Sequence, residues 1–319
     1  MNLRIALKYL LAVGVLFACP WVHSQSADCL SRSTVITVVG PRDKNGASPI
    51  ASLSPEDLRG KLGGKSVSIE SVAPPSKPLR VSIVLDIGSA QTKLTWDATR
   101  LIIHNFPSHF SEGSEFSLVA FDDRVEQNAP LQRGAHALDE FVDALSPSKT
   151  KESKTGLYEA LAAGIRTLGT PQLGDAVFLV TAWEDAGESD KQRATVQWLS
   201  AVGVRLFGIS FDFSRLPGVP PTGAFVSITS FAPIESAARI SGGLWTRSPA
   251  SGPALDMLLK ASASVMADFY ALGLKLAQPL VKAKEMRIEL VKGGKISLKP
   301  NLSLKDVVLS YPQSLYPCR

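Results

Sequence analysis

The stretch Val81-Ser82-Ile83-Val84-Leu85-Asp86-Ile87-Gly88-Ser89-Ala90 decides the fold. Its near-continuous apolar run reads as a strand buried on both faces in the middle of a sheet. The run ends abruptly on an acid and a turn of small residues. The C-terminal ends of strands are where open α/β sheets place their binding sites. Asp86 is therefore either a site residue or the remnant of one.

Outward from this run, residues 79 to about 250 alternate between strand and helix patterns. Further buried-strand candidates are 115–122, 175–181 and 204–210. Between them lie apolar stripes at i, i+3, i+4 spacing, the mark of amphipathic helices. Leu157, Leu161, Ile165 and Leu168 form one stripe, and Leu138, Phe141, Val142 and Leu145 another. Leu94, Ala98, Leu101, Ile102 and Phe106 suggest a third, and Val196, Leu199 and Val202 a fourth. This alternation predicts an α/β domain with a Rossmann-like, doubly wound, mostly parallel sheet and helices on both faces.

The flanks read as β. Thr34 to Val39 is β-branched, and Ser66 to Val72 alternates. Pro74-Pro75-Ser76-Lys77-Pro78 is a stiff linker. After a helix at 252–267, Phe269 to Leu276 alternates, and Met286 to Lys299 reads as a hairpin turning at Gly293-Gly294. The expected organisation is a leader at 1–24, an N-terminal β segment at 28–76, the α/β domain at 77–250, and a helix with a C-terminal β segment at 251–319. The two β segments should join as one small accessory module.

The leader reading rests on Arg4 and Lys8, the apolar run Leu10 to Ala18, and the small residues before Gln25. It predicts an exported protein, in the periplasm, on the cell surface or secreted, cleaved after Ser24. The weaker alternative is lipid attachment at Cys19, beside the bulky Phe17 and with Pro20 directly following. No segment reaches the length of a membrane span. Removing Arg4 and Lys8 leaves 32 basic against 29 acidic residues, a net of +3. Without a basic stripe or interleaved aromatics, nucleic acid is not an expected partner. Cys29 and Cys318 remain in the mature chain. In an oxidising compartment they are expected to pair, closing a long loop worth about 4–5 kcal/mol on the chain-entropy model. The alternative is two separate thiols in terminal tails.

Several motif fragments carry no chemistry. Gly60 to Ser66 imitates a phosphate-binding loop, is one residue too short, and leads into a strand where a helix is needed. Ser146-Pro147-Ser148-Lys149 and Lys154-Thr155-Gly156 imitate penicillin-binding boxes, and both fall in one loop. His104, His109 and His136 lack metal-ligand spacing. No catalytic constellation is legible, so the chain is expected not to be an enzyme. An exported hydrolase would need a base for Ser89, the only placed nucleophile.

Several stretches in order resemble the von Willebrand factor A-type domain. They are Val84-Leu85-Asp86, Ser117 to Val125, Thr155-Gly156-Leu157-Tyr158-Glu159-Ala160-Leu161, Glu184-Asp185, Ala201 to Ile209, and Ala238 to Gly243. With Leu58 and its Gly-Lys turn, they resemble the exported bacterial branch, in which a short β segment precedes the A domain. The resemblance implies a metal-ion-dependent adhesion site, where an Asp-x-Ser-x-Ser turn, a threonine and a second aspartate hold Mg²⁺. That ion takes a carboxylate from a protein partner.

Mapped residue by residue, Asp86 and Thr155 are kept. Gly88 and Ala90 stand in place of the serines, and Ala182 in place of the second aspartate. Mg²⁺ demands near-octahedral oxygen ligation. One carboxylate and one hydroxyl are too few, so the expected site is degenerate and without cofactor. A rebuilt Mg²⁺ site drawing on Ser89 or Asp185 is the alternative. The resulting expectation is a non-enzymatic, protein-binding or adhesion-type module of unknown partner. Its binding face would hold Asp86, Ser89, Thr155, Trp183, Glu184 and Asp185.

Overall fold

The computed structural model describes residues 29–41, 48–75, 77–88, 91–134, 136, 138–148, 156–181, 189–211, 232–248, 253–291, 297–298 and 303–318. In chain order, β1 (Ser31–Val39), β2 (Ile50–Ser52), β3 (Leu58–Leu62) and β4 (Lys65–Ala73) precede the α/β core. The core runs β5 (Arg80–Asp86), α1 (Lys93–Asn105), β6 (Glu115–Phe121), β7 (Val125–Arg133), α2 (Asp139–Ala144), α3 (Leu157–Thr167) and β8 (Ala176–Thr181). It continues with α4 (Ser189–Val202), β9 (Arg205–Phe211), α5 (Ala232–Ile240), β10 (Trp245–Ser248) and α6 (Pro253–Ala267). Then follow β11 (Phe269–Lys275), β12 (Lys284–Leu290), β13 (Ser297–Leu298), β14 (Val308–Ser310) and β15 (Ser314–Leu315). No described helix is long and apolar enough to cross a membrane.

The core sheet has the order β10-β9-β8-β5-β6-β7, which puts the opening stretch in its interior. Strand residues alternate between two apolar layers, as the period of two requires. Ile83, Leu85, Leu118, Phe178 and Ile209 face α1, α2 and α6 through Ile102, Val142 and Leu259. Val84, Val119, Leu179 and Leu206 face α3, α4 and α5 through Leu161, Leu199 and Ile234. Helices therefore cover both faces, and the strands are apolar on both faces for that reason.

The sheet is mixed and departs from a clean Rossmann-like arrangement. Five strands are parallel neighbours, and β7 pairs antiparallel with β6. Only Asp122-Asp123-Arg124 connects β6 to β7. So short a link makes a hairpin, because a parallel crossover needs a dozen or more residues. The segment 125–133 is mostly polar, with Ala129 its buried member, so it gives no core-strand signal.

The accessory module is larger than the small one expected. It is a seven-stranded antiparallel sheet, β14-β1-β11-β4-β3-β12-β15. The N- and C-terminal segments interleave, with Ser31 opposite Lys275 and Thr37 opposite Phe269. Ile36, Val38, Leu272, Leu274, Met286 and Ile288 form its core. The Gly60–Ser66 fragment is a β3–β4 hairpin. The described residues of the hairpin expected over Met286 to Lys299 do not pair with each other: β12 pairs with β3 and β15, while β13 pairs with β2. The reason is burial, since β3 seats Met286 and Ile288 in the module core. Two residues of the third helical stripe also fall outside the core: Leu94 and Leu101 are 41% and 49% exposed. Trp96 and Ile103 take their buried places on α1.

Cys29 and Cys318 form a disulfide, with Cα atoms 5.8 Å apart. A buried polar node also joins module to core. Arg205 on β9 is fully buried and donates to Thr37 Oγ1 (3.1 Å), Gly174 O (2.6 Å) and Met266 O (2.9 Å). Its guanidinium also lies over the Phe269 ring, 4.3 Å from the centroid. Thr37 in turn donates to Gly242 O at 2.9 Å. Burial pushes the Arg205 guanidinium down to about 9, against the opposing pull of Asp175 and Asp268. Nearby, Asp175 is paired with Arg80, whose Nε donates at 3.0 Å.

Candidate functional site

Parallel register brings three strand ends to one edge. Asp86 is opposite Phe121, and Leu85 is opposite Val180. Asp86 therefore meets the residue after β6, Asp122, and the last residue of β8, Thr181. All three are buried, at 3%, 6% and 1% exposure.

The Asp86 carboxylate is held by protein donors on both oxygens. Oδ1 accepts from the Gly88 N–H at 2.8 Å, and Oδ2 accepts from the Thr181 hydroxyl at 2.7 Å. The main chain around it is fastened as well. Ile87 N–H donates to Phe121 O at 2.8 Å, extending the ladder past Asp86. Gln91 Nε2 donates to Asp86 O at 2.8 Å, and Gln91 N–H donates to Gly88 O at 3.0 Å. Thr92 then caps α1 by accepting from Thr95 N–H at 3.2 Å, a favourable N-cap.

Two glycines at this edge are there for space. A Cβ at position 88 would stand 2.9 Å from Asp122 Oδ1 and 3.0 Å from Asp86 Oδ1. The two carboxylates border the volume that a serine side chain at 88 would enter, and both are side-chain ends that would have to shift slightly to admit it. A Cβ on Gly156 would stand 2.7 Å from Asp123 O and 2.9 Å from Arg124 Cα, which are backbone atoms. Gly156 N–H donates to Asp122 O at 2.7 Å, locking the start of α3 onto the β6–β7 turn. Ser148 N–H donates to Ile87 O at 2.7 Å, bringing a further loop to the same edge.

Of the residues expected at the binding face, Asp86 lies at this edge together with Gly88. Ser89, Ala90, Thr155, Ala182, Trp183, Glu184 and Asp185 lie outside the described residues. Asp122 and Thr181 were not among the expected site residues, yet they face Asp86. A signal for Asp122 exists in the sequence: an apolar run, Phe116 to Phe121, ends on an acid just as Val81 to Leu85 does. Two neighbouring parallel strands ending alike put both acids at one edge. Thr181 carries no such mark.

The histidines find carboxylates elsewhere. His104 Nδ1 is hydrogen-bonded with Asp139 at 2.8 Å, His136 Nδ1 with Asp139 at 2.7 Å, and His109 Nε2 lies 3.6 Å from Asp256. Among the described residues, no three His, Cys, Asp or Glu side chains are grouped so that they could hold a metal ion. A groove of about 260 Å³ lies between Pro74, Pro78, Leu173 and Phe269, at the opposite end of β5 from Asp86.

A central strand that ends on a buried acid, a hairpin edge strand and helices on both faces complete the description. This arrangement agrees with the α/β fold that the resemblance implies. No protein-family model and no curated protein matches the sequence. Similar solved structures include the conserved hypothetical protein BatB of Bacteroides thetaiotaomicron, 15% identical with a TM-score of 0.46, covering 59% of this chain and 98% of that one. An aerotolerance-related membrane protein of Bacteroides fragilis is 17% identical, with a TM-score of 0.45 and the same coverage. A von Willebrand factor type A protein of Catenulispora acidiphila is 12% identical, with a TM-score of 0.46, covering 88% of this chain and 74% of that one. In the α/β core of this chain, Asp86, a position that the resemblance marks, shares its edge with Asp122 and Thr181.

Proposed function

We propose that this chain is an exported, non-enzymatic protein-interaction module whose adhesion edge works without a metal ion. The observation that carries the reading is the state of Asp86. Both carboxylate oxygens accept from protein donors, Gly88 N–H and Thr181 Oγ1. The acid thereby ties β5 to β8 and fixes the turn that follows it. Its role is to shape the edge.

The donor set supports the same reading. Mg²⁺ keeps near-ideal octahedral geometry and gives up its waters reluctantly. Here the serine position is Gly88, which brings no side-chain oxygen. The described residues do not fit the ion, and no step is assigned to one. Export is supported by the Cys29–Cys318 bond, since such bonds persist in oxidising compartments. The partner binds across the loops that meet at Asp86 and Asp122.

Titration calorimetry with Mg²⁺ and Mn²⁺ tests the metal-free reading. No heat above dilution is expected. Binding at millimolar affinity or tighter that disappears in Asp86→Ala would overturn it. Mass spectrometry of the mature N-terminus tests export: a chain starting at Gln25 is expected, and retained residues 1–24 would count against it.

A further inference from the structure

β14 and β15 stand at opposite ends of the seven-stranded sheet, yet only Tyr311-Pro312-Gln313 separates them in the chain. The segment 308–318 is therefore a strap that joins the far ends of the module sheet. β14 pairs with β1 over Thr37 to Val39, and β15 pairs with β12 at Lys284 and Glu285. The strap also crosses to the α/β core. Gln313 N–H donates to Ile240 O at 2.9 Å, Ser310 Oγ donates to Gly243 O at 2.9 Å, and Pro312 forms a β-bridge with Ser241. These ladders are short, and the strap ends on a covalent tie, Cys318 to Cys29.

The surroundings of that tie favour its opening. Cys318 is exposed and Cys29 half-buried. Arg32 on β1 donates from Nη1 to Cys318 Sγ at 3.3 Å. A guanidinium beside a sulfur stabilises its thiolate, and the sulfur with the better stabilised thiolate leaves faster in exchange. Exposed disulfides are also the labile ones, because thiols reach them.

We propose that Cys29–Cys318 is a redox latch on this strap, opened by a dithiol reductant. A thiolate of the reductant attacks Cys29 Sγ and forms a mixed disulfide there. The Cys29–Cys318 bond breaks, and its electron pair leaves on Cys318 as a thiolate facing Arg32. The second thiol of the reductant then attacks the reductant sulfur of the mixed disulfide and releases Cys29. The protein sulfurs gain a pair of electrons, and the reductant ends as a disulfide. Of the protons that the reductant gives up, one goes to Cys29 and the other to water. With the latch open, only hydrogen bonds hold the strap, and it comes off both sheet ends and off Ile240–Gly243. The redox state of the surroundings thus sets whether the strap ties module to core.

The test uses the full disulfide-bonded chain in native buffer, with dithiothreitol at graded ratios of its reduced and oxidised forms. Free thiols are trapped by alkylation and located by mass spectrometry. Opening is expected without denaturant. Arg32→Ala should need about threefold more reduced dithiothreitol for half-opening, while Arg32→Lys, which keeps the charge, should stay near the wild type. Reduced glutathione, a monothiol probe, should leave its adduct on Cys29. In the reduced chain, hydrogen exchange should speed about tenfold at the Gln313 and Met286 amides and stay unchanged at Leu85 and Leu179. If Arg32→Ala does not fold, the adduct position and the exchange pattern of the wild type decide. A bond that resists reduction until the chain unfolds overturns the latch, as does exchange that is unchanged at Gln313 or equally faster in both sheets. An adduct on Cys318, or equal half-opening in Arg32→Ala, overturns the role of Arg32.

Discussion

Thr181 and Gly156 both bond into the edge around Asp86 and Asp122, so single substitutions report on it. Thr181→Val keeps the shape and removes the hydroxyl that donates to Asp86 Oδ2. Leaving a buried carboxylate short of a donor costs about 1–3 kcal/mol. Urea unfolding should show that loss, with an unchanged slope. Gly156→Ala places a methyl against the Asp123 carbonyl and the Arg124 backbone, which cannot rotate away. Overpacking of this kind costs about 1–3 kcal/mol. Because Gly156 also holds Asp122 O, the substitution should move the Asp122 amide in an NMR spectrum as well as lower the unfolding midpoint.

Among the elements, α1 and α2 are joined by charge. His104 on α1 and His136 before α2 both reach Asp139, and Arg100 pairs with Asp143. Partial burial pushes the Asp139 carboxyl up, but the hydrogen bonds and charges of His104 and His136 outweigh it and hold it below its ordinary 3.8. A carboxyl lowered in the folded state adds stability above its unfolded pKa and loses it as pH falls through the folded one. Stability of the wild type should therefore drop more steeply than that of Asp139→Asn between about pH 5 and pH 2. Parallel urea titrations would show the two curves converging at the acid end. Equal slopes would remove this link from the acid response.

At this scale the sequence was readable wherever periodicity and burial coincide. Val81–Leu85, Leu157–Leu168 and Leu199 lie in the layers that their spacing implies. It misled wherever pairing depends on distant partners. Nothing local in Met286 to Leu298 says that β12 will choose β3 and β13 will choose β2. Leu94 and Leu101 follow a helical period yet face outward, because Trp96 and Ile103 fit the layer beneath α1.

Across the whole molecule, two devices weld the antiparallel module to the α/β core. One is covalent. Reducing Cys29–Cys318 frees a loop spanning 289 residues of sequence separation. Loss of about 4–5 kcal/mol is expected in thermal or urea unfolding under reductant, mostly through the unfolded chain. The other device is Arg205, which gathers β1, the Gly174 turn and the end of α6. Arg205→Ala strips the donors from Gly174 O and Met266 O and leaves Asp175 with less positive charge nearby. Breaking a buried charged network costs about 3–5 kcal/mol. Two separate unfolding transitions in that variant would show module and core parting. A single transition shifted by less than about 1 kcal/mol would deny Arg205 the welding role.

What the sequence determined by itself follows from short-range rules. Apolar period marks the strands and helices, the run ending at Asp86 marks the edge, and the two lone cysteines near the ends, Cys29 and Cys318, mark the bond between them. Tertiary structure decided the rest. It turned β7 antiparallel and enlarged the accessory sheet to seven strands. It set Thr181 and Asp122 around Asp86, and it buried Arg205 where two sheets meet. Those outcomes depend on which residues meet across long stretches of chain. Contacts of that kind are chosen by packing and charge in three dimensions, and local spacing carries no record of them.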